Sequence, residues 1–303
     1  MDGPGPLPSR DAHEPHRYNV LMTYLSVCAV YRDEAPNLRE WIEFHRLMGA
    51  ERFYLYDNRS TDDHREVLAP YVDEGVVVAY EWPAVLPPNV VVGEATQTAT
   101  YEHCILNHRE DSRWIAFLDL DEFMFSPTGA KLTEMLPEYE RWPGVGVNWA
   151  QFGTSGHRVR PDGLVLESYV RRTDAFGYNR PIKCVVDPRR VRNFCLAHFF
   201  IFTGEPAVVV DENHRPIDTK LSRTEEVSFA KLRVNHYWTK SEEEFERKLT
   251  RPRVDNGRPR NVTESQARRM IEMTNAVEDR TIQMHLPALT EALARRSRPV
   301  RQP

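Results

Sequence analysis

Trp114-Ile115-Ala116-Phe117-Leu118-Asp119-Leu120-Asp121-Glu122-Phe123 runs five apolar residues straight into an alternating acidic cluster. An unbroken apolar run of this kind predicts a strand buried on both faces, and hence a sheet with helices on either side. Ligands of open α/β sheets bind in the crevice beyond the carboxyl ends of the strands. Alternate residues of an extended segment point the same way. Asp119 and Asp121 therefore repel one another unless a cation joins them. Mg²⁺ and Mn²⁺ prefer oxygen ligands and suit diphosphates. The plain alternative is a solvated acidic turn, because a bare Asp-x-Asp is common. The buried strand ahead of the pair favours the cation.

Upstream of this run the pattern is regular. Residues 24–31 predict a first buried strand. Pro36 suits a helix start, where its missing N–H has no partner to lose. Leu38, Trp41, Ile42, His45 and Met48 follow at helical spacing, and Gly49 stops the helix. Residues 53–56 form a second strand ending at Asp57. Asn58-Arg59-Ser60-Thr61-Asp62 reads as a turn and cap. Val67, Leu68, Tyr71 and Val72 make a second helical face that ends at Gly75, and residues 76–80 a third strand. This β-α-β-α-β order predicts a parallel, doubly wound sheet with right-handed crossovers. Pro83, Pro87 and Pro88 mark a loop, and residues 94–108 a helix.

The second half predicts a mixed set of strands at 145–149, 164–170, 182–186, 196–202, 208–210 and 232–237. Ser241 with Glu244 fits a capping box opening a helix. Residues 270–285 read as one last long helix.

The chain has 303 residues, 41% hydrophobic and 28% charged, as in ordinary soluble globular proteins. That length suits one large domain or two small ones, and the absence of repeats or low-complexity linkers favours a single mixed domain over 18–303. Residues 1–17 are rich in Pro, Gly and charge. They are expected to be disordered, and without an apolar stretch they do not make a signal peptide. No run reaches membrane-spanning length, so no transmembrane segment and a soluble, cytoplasmic protein are expected. The net charge of -5 and pI near 6.1 point away from a nucleic-acid partner. Between Arg247 and Arg301, twelve arginines and one lysine face only six acidic residues, which predicts a solvated basic helix pair. Cys28, Cys104, Cys184 and Cys195 are too far apart for a zinc or redox motif and are expected to be buried thiols.

Further candidate residues stand at other strand ends. Asp57 suits a ribose hydroxyl or a base N–H, and equally suits plain turn chemistry. Arg32, Asp33 and Glu34 follow the first strand at the same edge. Asn235-His236-Tyr237-Trp238-Thr239-Lys240-Ser241 places a His at a strand end and a Lys at a helix start, where free N–H groups attract phosphate. Trp149, Gln151, Phe152, Gly153, Thr154 and Ser155 form an aromatic and Gly-containing stretch of the type that binds sugars. Gln97 and Tyr101 face either the ligand or solvent. His198 reads as a packed core histidine.

Several of these pieces together resemble a known family. They are Val27 to Glu34, Glu40 to His45 with Gly49, Tyr56 to Ser60, Trp114 to Phe123, and Asn235 to Ser241 with Phe245 and Lys248. They resemble glycosyltransferase family 92 and its bacterial family-2-like relatives. The resemblance implies a GT-A fold of the α/β class: a Rossmann-like, mostly parallel central sheet flanked by helices, a mixed acceptor-side half and C-terminal helices. It divides the domain into a nucleotide-sugar-binding half (18–125), an acceptor-side half (126–250) and a C-terminal helical extension (251–303).

It also implies a metal-dependent hexosyl transfer from a nucleotide-sugar, most often a UDP-sugar, to a carbohydrate or small-molecule hydroxyl acceptor, with inversion by direct displacement. On that reading Tyr31, Arg32, Glu34, Asp57, Asp119, Lys183 and Lys240 serve the donor. Asp119, Asp121 and His236 hold Mn²⁺ or Mg²⁺. Trp149, Phe152, Gly153 and Ser155 meet the acceptor. Inversion calls for a carboxylate base, for which Asp174 and Asp211 lead, with Glu205 and Glu212 beside them. A metal-dependent nucleotidyltransferase or nucleotide-sugar hydrolase is the competing enzyme class. It would call for a Gly-rich phosphate loop after the first strand, and Arg32-Asp33-Glu34-Ala35-Pro36 is not one. A non-catalytic sugar-nucleotide-binding module is the other alternative, against which the intact acidic pair and the His236 to Ser241 stretch argue.

Overall fold

The computed structural model describes residues 22–82, 96–196, 199–250 and 260–296. The expectations for residues 1–17, for the proline loop and for His198 lie outside these residues. The strands, in chain order, are β1 (Thr23–Tyr31), β2 (Arg52–Asn58), β3 (Val77–Trp82), β4 (Ser112–Phe117), β5 (Glu122–Phe125), β6 (Gly144–Gln151), β7 (Arg171–Arg172), β8 (Ile182–Val186), β9 (Val191–Leu196), β10 (Phe199–Phe202), β11 (Arg233–His236) and β12 (Val277–Glu278). The helices are α1 (Ala35–Leu47), α2 (His64–Asp73), α3 (Thr96–His108), α4 (Leu132–Met135), α5 (Val165–Ser168), α6 (Phe176–Asn179), α7 (Glu242–Thr250), α8 (Glu264–Thr274) and α9 (Leu286–Arg296).

Eight strands form one sheet in the order β3-β2-β1-β4-β8-β6-β11-β5. The β1–β4 side is parallel throughout, as the β-α-β-α-β pattern predicts. Helix α1 carries a proline in its first turn and buries Leu38, Trp41, Ile42 and Phe44 against the sheet. Gly49 and Gly75, past the ends of α1 and α2, both take left-handed φ angles (+100 and +70) that disfavour a side chain. On the other side of β4 the sheet is mixed. Strand β8 runs antiparallel to β4 and β6, β11 is parallel to β6, and β5 is antiparallel to β11. The α/β class with a parallel and a mixed side agrees with the expected fold class.

Strand β5 is the sheet's edge, and α1 covers it. The Trp41 indole donates to the Glu122 carbonyl at 2.8 Å, and the Met124 N–H donates to His45 Nε2 at 3.2 Å. His45 Nδ1 lies 2.9 Å from the Trp41 carbonyl, which fixes Nδ1 as the protonated nitrogen. Groups that an edge strand would offer to another chain are thus satisfied internally.

Four expected elements differ. Residues 164–170 contain the short helix α5, because the buried Glu40 carboxylate accepts the Val165 and Leu166 N–H groups at 2.8 and 3.0 Å and caps the turn. Residues 208–210 make only isolated bridges, one of them to Pro216, which has no N–H to extend a ladder. The long helix over 270–285 ends at Thr274. There the Asn275 side chain bonds to Thr154 and to the Ser155 N–H, drawing the chain into β12 against β7. The strand expected at 196–202 is parts of β9 and β10, an antiparallel pair, with residues 197 and 198 outside the described set.

Burial pushes the His45 imidazole down from 6.5 to about 4. The unfolded chain therefore binds more protons than the native one between those values. The stability that neutral His45 contributes is complete above pH 6.5 and is lost as pH falls towards 4. In urea melts from pH 7.5 to 4.5, His45→Gln is expected to flatten this decline while lowering stability at neutral pH.

Candidate functional site

The acidic cluster sits where β4 ends, and two lysines from distant parts of the chain meet it. On β8, Lys183 donates to Asp119 Oδ2 at 2.8 Å and lies 3.1 Å from Glu122 Oε2. Both Lys183 and Glu122 are fully buried, while Asp119 keeps about a third of its side chain exposed (35%). Burial alone would strip the lysine of its proton. Asp119 and Glu122 reverse this and hold its pKa well above the ordinary value. Glu122 also accepts the Asp119 N–H at 2.8 Å, fixing the turn between the two carboxylates. From α3, Gln97 donates to Asp119 Oδ1 at 2.8 Å and to the Tyr101 hydroxyl. Both oxygens of Asp119 are thereby oriented.

Asp121 belongs to a second group. Register places it: His236 pairs with Glu122 across β11 and β5, and the Tyr237 N–H donates to the Asp121 carbonyl. His236 Nε2 lies 3.6 Å from Asp121 Oδ1, and Lys248 on α7 donates to Asp121 Oδ2 at 2.6 Å. Burial disfavours the Asp121 carboxylate, but Lys248, with His236 and Lys240, outweighs it and holds the pKa well below the usual range. Burial also pushes His236 down to about 4, so the imidazole is neutral at physiological pH. Its buried Nδ1 has no hydrogen-bond partner among the described residues. The Trp149 ring lies 4.3 Å from the imidazole, centroid to centroid.

The remaining donor candidates lie at the ends of β1, β2 and β11. The Asp33 N–H donates to Ser60 Oγ, the Thr61 N–H to Asp33, and the Ala35 N–H to Asp62, which clips the β1 and β2 loops together. Asp57 accepts the Ser60 N–H at 2.8 Å and lies 3.5 Å from His64, so turn chemistry accounts for much of its bonding. Tyr31 is buried against His64, whereas half of the Arg32 side chain is exposed. Lys240 adopts a left-handed φ of +50° and reaches Glu34 at 3.5 Å.

Three groups of expected roles do not fit. Helix α7 does begin with the Ser241–Glu244 capping box. Its first N–H groups are nevertheless used: Ser241 donates to Glu244, Glu242 to the His157 carbonyl and Glu243 to the Arg158 carbonyl. Three glutamates also fill the first turn, so this end of the helix offers phosphate nothing.

In the presumed acceptor stretch, Phe152 and Thr154 are fully buried. Ser155 Oγ accepts the Val170 and Arg171 N–H groups, and a Cβ on Gly153 would come within 2.5 Å of the Thr274 carbonyl oxygen. Gly153 and Ser155 thus hold the C-terminal segment, Phe152 packs on Tyr237 in the core, and of the acceptor stretch Trp149 and Gln151 stand beside His236. Among the base candidates, Asp211 is spent on Arg215 and on the Asn213 and Arg215 N–H groups. It adjoins Val210, which bridges Val145 at the start of β6, so it sits at the opposite end of the sheet from Asp121. Glu212 accepts the Ala230, Lys231 and Leu232 N–H groups, and Glu205 lies exposed beyond β10. Asp174 is exposed and follows Thr173, whose N–H donates to the Gln151 carbonyl at the end of β6. It is the one base candidate on the correct edge.

A family model, Glycosyltransferase family 92, matches residues 23–274, which contain all of this geometry. The chain belongs to glycosyltransferase family 92. Family 92 proteins of Oryza sativa subsp. japonica and Arabidopsis thaliana are each 32% identical to it, over 57% and 46% of the chain. The chain spans about a quarter (28% and 24%) of the length of these curated relatives. Among solved structures, S. aureus TarS 1-349 is similar at 9% identity and a TM-score of 0.38, covering 88% of this chain and 72% of that one, a likeness too distant to carry an inference. No helix among the described residues is long and apolar enough to cross a membrane.

The residues expected to hold a divalent cation fit one in part. No three His, Cys, Asp or Glu side chains gather into a complete cage among the described residues. Asp121 nevertheless offers the carboxylate oxygen that Mg²⁺ and Mn²⁺ prefer, with the His236 imidazole 3.6 Å from it. Mg²⁺-type ions are commonly held by one or two protein ligands, with substrate phosphates completing the shell. Glu122 and Lys248 are site residues without an expected role, while Gln97, expected to face either the ligand or solvent, faces Asp119. Glu122 was adjacent to the acidic pair, and Lys248 lies one helical turn beyond Glu244 of the capping box.

Since Gly153 packs directly on the Thr274 backbone, Gly153→Ala should lower stability by about 1–3 kcal/mol through overpacking. A denaturant melt showing no loss would place the C-terminal segment elsewhere.

Proposed function

We propose that this chain is a metal-dependent glycosyltransferase that moves a sugar from a nucleotide-sugar, a UDP-sugar by family resemblance, to an acceptor hydroxyl with inversion by direct displacement. The observation that carries the reading is the meeting of ionised Asp121, neutral His236 and the ammonium of Lys248 at the end of a buried strand. Glycosyl transfer builds positive charge on the sugar and negative charge on the departing diphosphate. The chemistry therefore asks for fixed positive charge beside the diphosphate.

Lys248 and Lys240 supply such charge from the β11–α7 side, and Lys183 from the β8 side. Asp119, oriented through both oxygens by Lys183 and Gln97, is a rigid acceptor for donor hydroxyls. A divalent cation held by Asp121 and His236 adds Lewis-acid stabilisation of the leaving diphosphate. The acceptor enters past Trp149, an aromatic face of the type sugars stack on. Its hydroxyl proton goes to a carboxylate, for which Asp174 is the candidate at the end of β6. Inversion requires that base to sit on the face of the sugar opposite the diphosphate.

A panel of nucleotide-sugars with Mn²⁺ or Mg²⁺, scored for nucleotide release and thermal shift, tests the reading. Binding and turnover of one donor are expected, with turnover abolished by chelation. No shift by any nucleotide-sugar or nucleoside diphosphate in the presence of metal would end the proposal. Asp121→Asn is expected to cut metal-dependent turnover by about a hundredfold or more with the fold retained. Asp174→Asn should lower kcat by roughly a hundredfold while leaving nucleotide affinity unchanged, the pattern of a lost general base. Full activity in that variant would remove Asp174 from the reaction.

A further inference from the structure

The three lysines of the site are all paired with carboxylates of the chain itself: Lys183 with Asp119 and Glu122, Lys248 with Asp121, and Lys240 with Glu34. The pairings are not equivalent. Lys183 is fully buried and binds two carboxylates at once. Lys248 binds a single carboxylate and keeps 27% of its side chain exposed. Its ammonium also donates to the Trp238 carbonyl at 3.0 Å and lies 5.2 Å from the Trp238 ring centroid. Lys248 thus occupies, with one positive charge, the carboxylate on which the proposed cation depends.

We propose that Lys248 is an exchangeable counter-ion, a positioning residue that occupies Asp121 until ligands arrive and yields it to the divalent cation as the donor diphosphate binds. This rests on the metal reading above. A cation arriving alone must break a charge-assisted bond of 2.6 Å and leave an ammonium facing a divalent charge, with Lys240 adding to the repulsion. A cation arriving with a diphosphate meets no such obstacle, because the released ammonium passes to a phosphate oxygen. Trp238 keeps Lys248 close in either position. The site therefore admits metal and nucleotide together and resists metal alone, and this coupling is reciprocal by linkage. Lys183 cannot play the same part, since it is fully buried between Asp119 and Glu122 and bonded to both.

The test is Mn²⁺ binding by the full chain, read from the free Mn²⁺ EPR signal with and without UDP, in wild type, Lys248→Met and Lys248→Gln. Lys220→Met, an exposed lysine away from the site, controls for net charge, and thermal melts confirm folding. Removing the competing ammonium should tighten Mn²⁺ binding in the absence of UDP by roughly ten- to a hundredfold, the usual span of coupling between sites. UDP should then improve Mn²⁺ binding far less than in wild type, and Lys220→Met should change neither value. If wild type binds Mn²⁺ with UDP but neither Lys248 variant binds Mn²⁺ more tightly than wild type without it, the exchange is overturned and the metal reading survives. If no protein binds Mn²⁺ even with UDP, both fall.

Discussion

Three carboxylates within four residues, at the end of a strand buried on both faces, set the problem that much of this structure solves. An unpaired charge in such a place costs several kcal/mol. Compensation comes from far along the chain, and each compensating group is delivered by register. The antiparallel pairing of β8 with β4 carries Lys183 to the level of the turn. The pairing of β11 with β5 sets His236 beside Asp121. Helix α7, started by its capping box, then turns Lys248 back onto the same carboxylate. The result is divided: Asp119 and Glu122 share the buried lysine, and Asp121 has the more exposed one. This division leaves Asp119 held through both oxygens and Asp121 facing a partly exposed lysine.

The parallel half of the fold was legible because its signals are local. Apolar runs, helical spacing and left-handed glycines fall within a few residues of one another, so 24–82 could be read almost element by element. The acceptor-side half depends on contacts between distant residues. The 164–170 segment looked like a strand until Glu40, over a hundred positions away, supplied a cap for its turn. The helix expected at 270–285 had the right periodicity and was broken by Asn275, whose partners are in the loop after β6. Local pattern yields to tertiary contact in both cases.

The site divides along the same line. The acidic pair and His236 stood out because charged or imidazole groups at strand ends are chemically conspicuous. Gln97 read equally as ligand-facing or solvent-facing, and Lys248 entered only as part of the family pattern, since a Lys or Gln on a helix looks like surface until the fold turns it inward. The Phe152 to Ser155 loop misled in the opposite direction. Aromatic and small residues suit a sugar, but they also suit close packing, and here a Gly is needed because the Thr274 backbone lies against it. The same C-terminal segment is held a second time by Asp279, which pairs with Arg172 and Arg233 at 2.7 and 2.9 Å. Residues with no part in the chemistry thereby brace β7 and β11, the latter being the strand that presents His236.

The position of β11 in the sheet has a consequence for synthesis. It lies between β6 and β5, although both of those strands precede it in the chain by many residues. While the nascent polypeptide is shorter than this strand, β5 has no partner along the edge that β11 will fill. Asp121 then lacks both its imidazole and its ammonium. Vectorial emergence from the ribosome thus leaves a gap in a nearly finished sheet, to be filled by insertion rather than by growth at an edge. Long-range closure of this kind is slow, and it makes the acidic cluster with its lysines and imidazole one of the last parts of the molecule to exist.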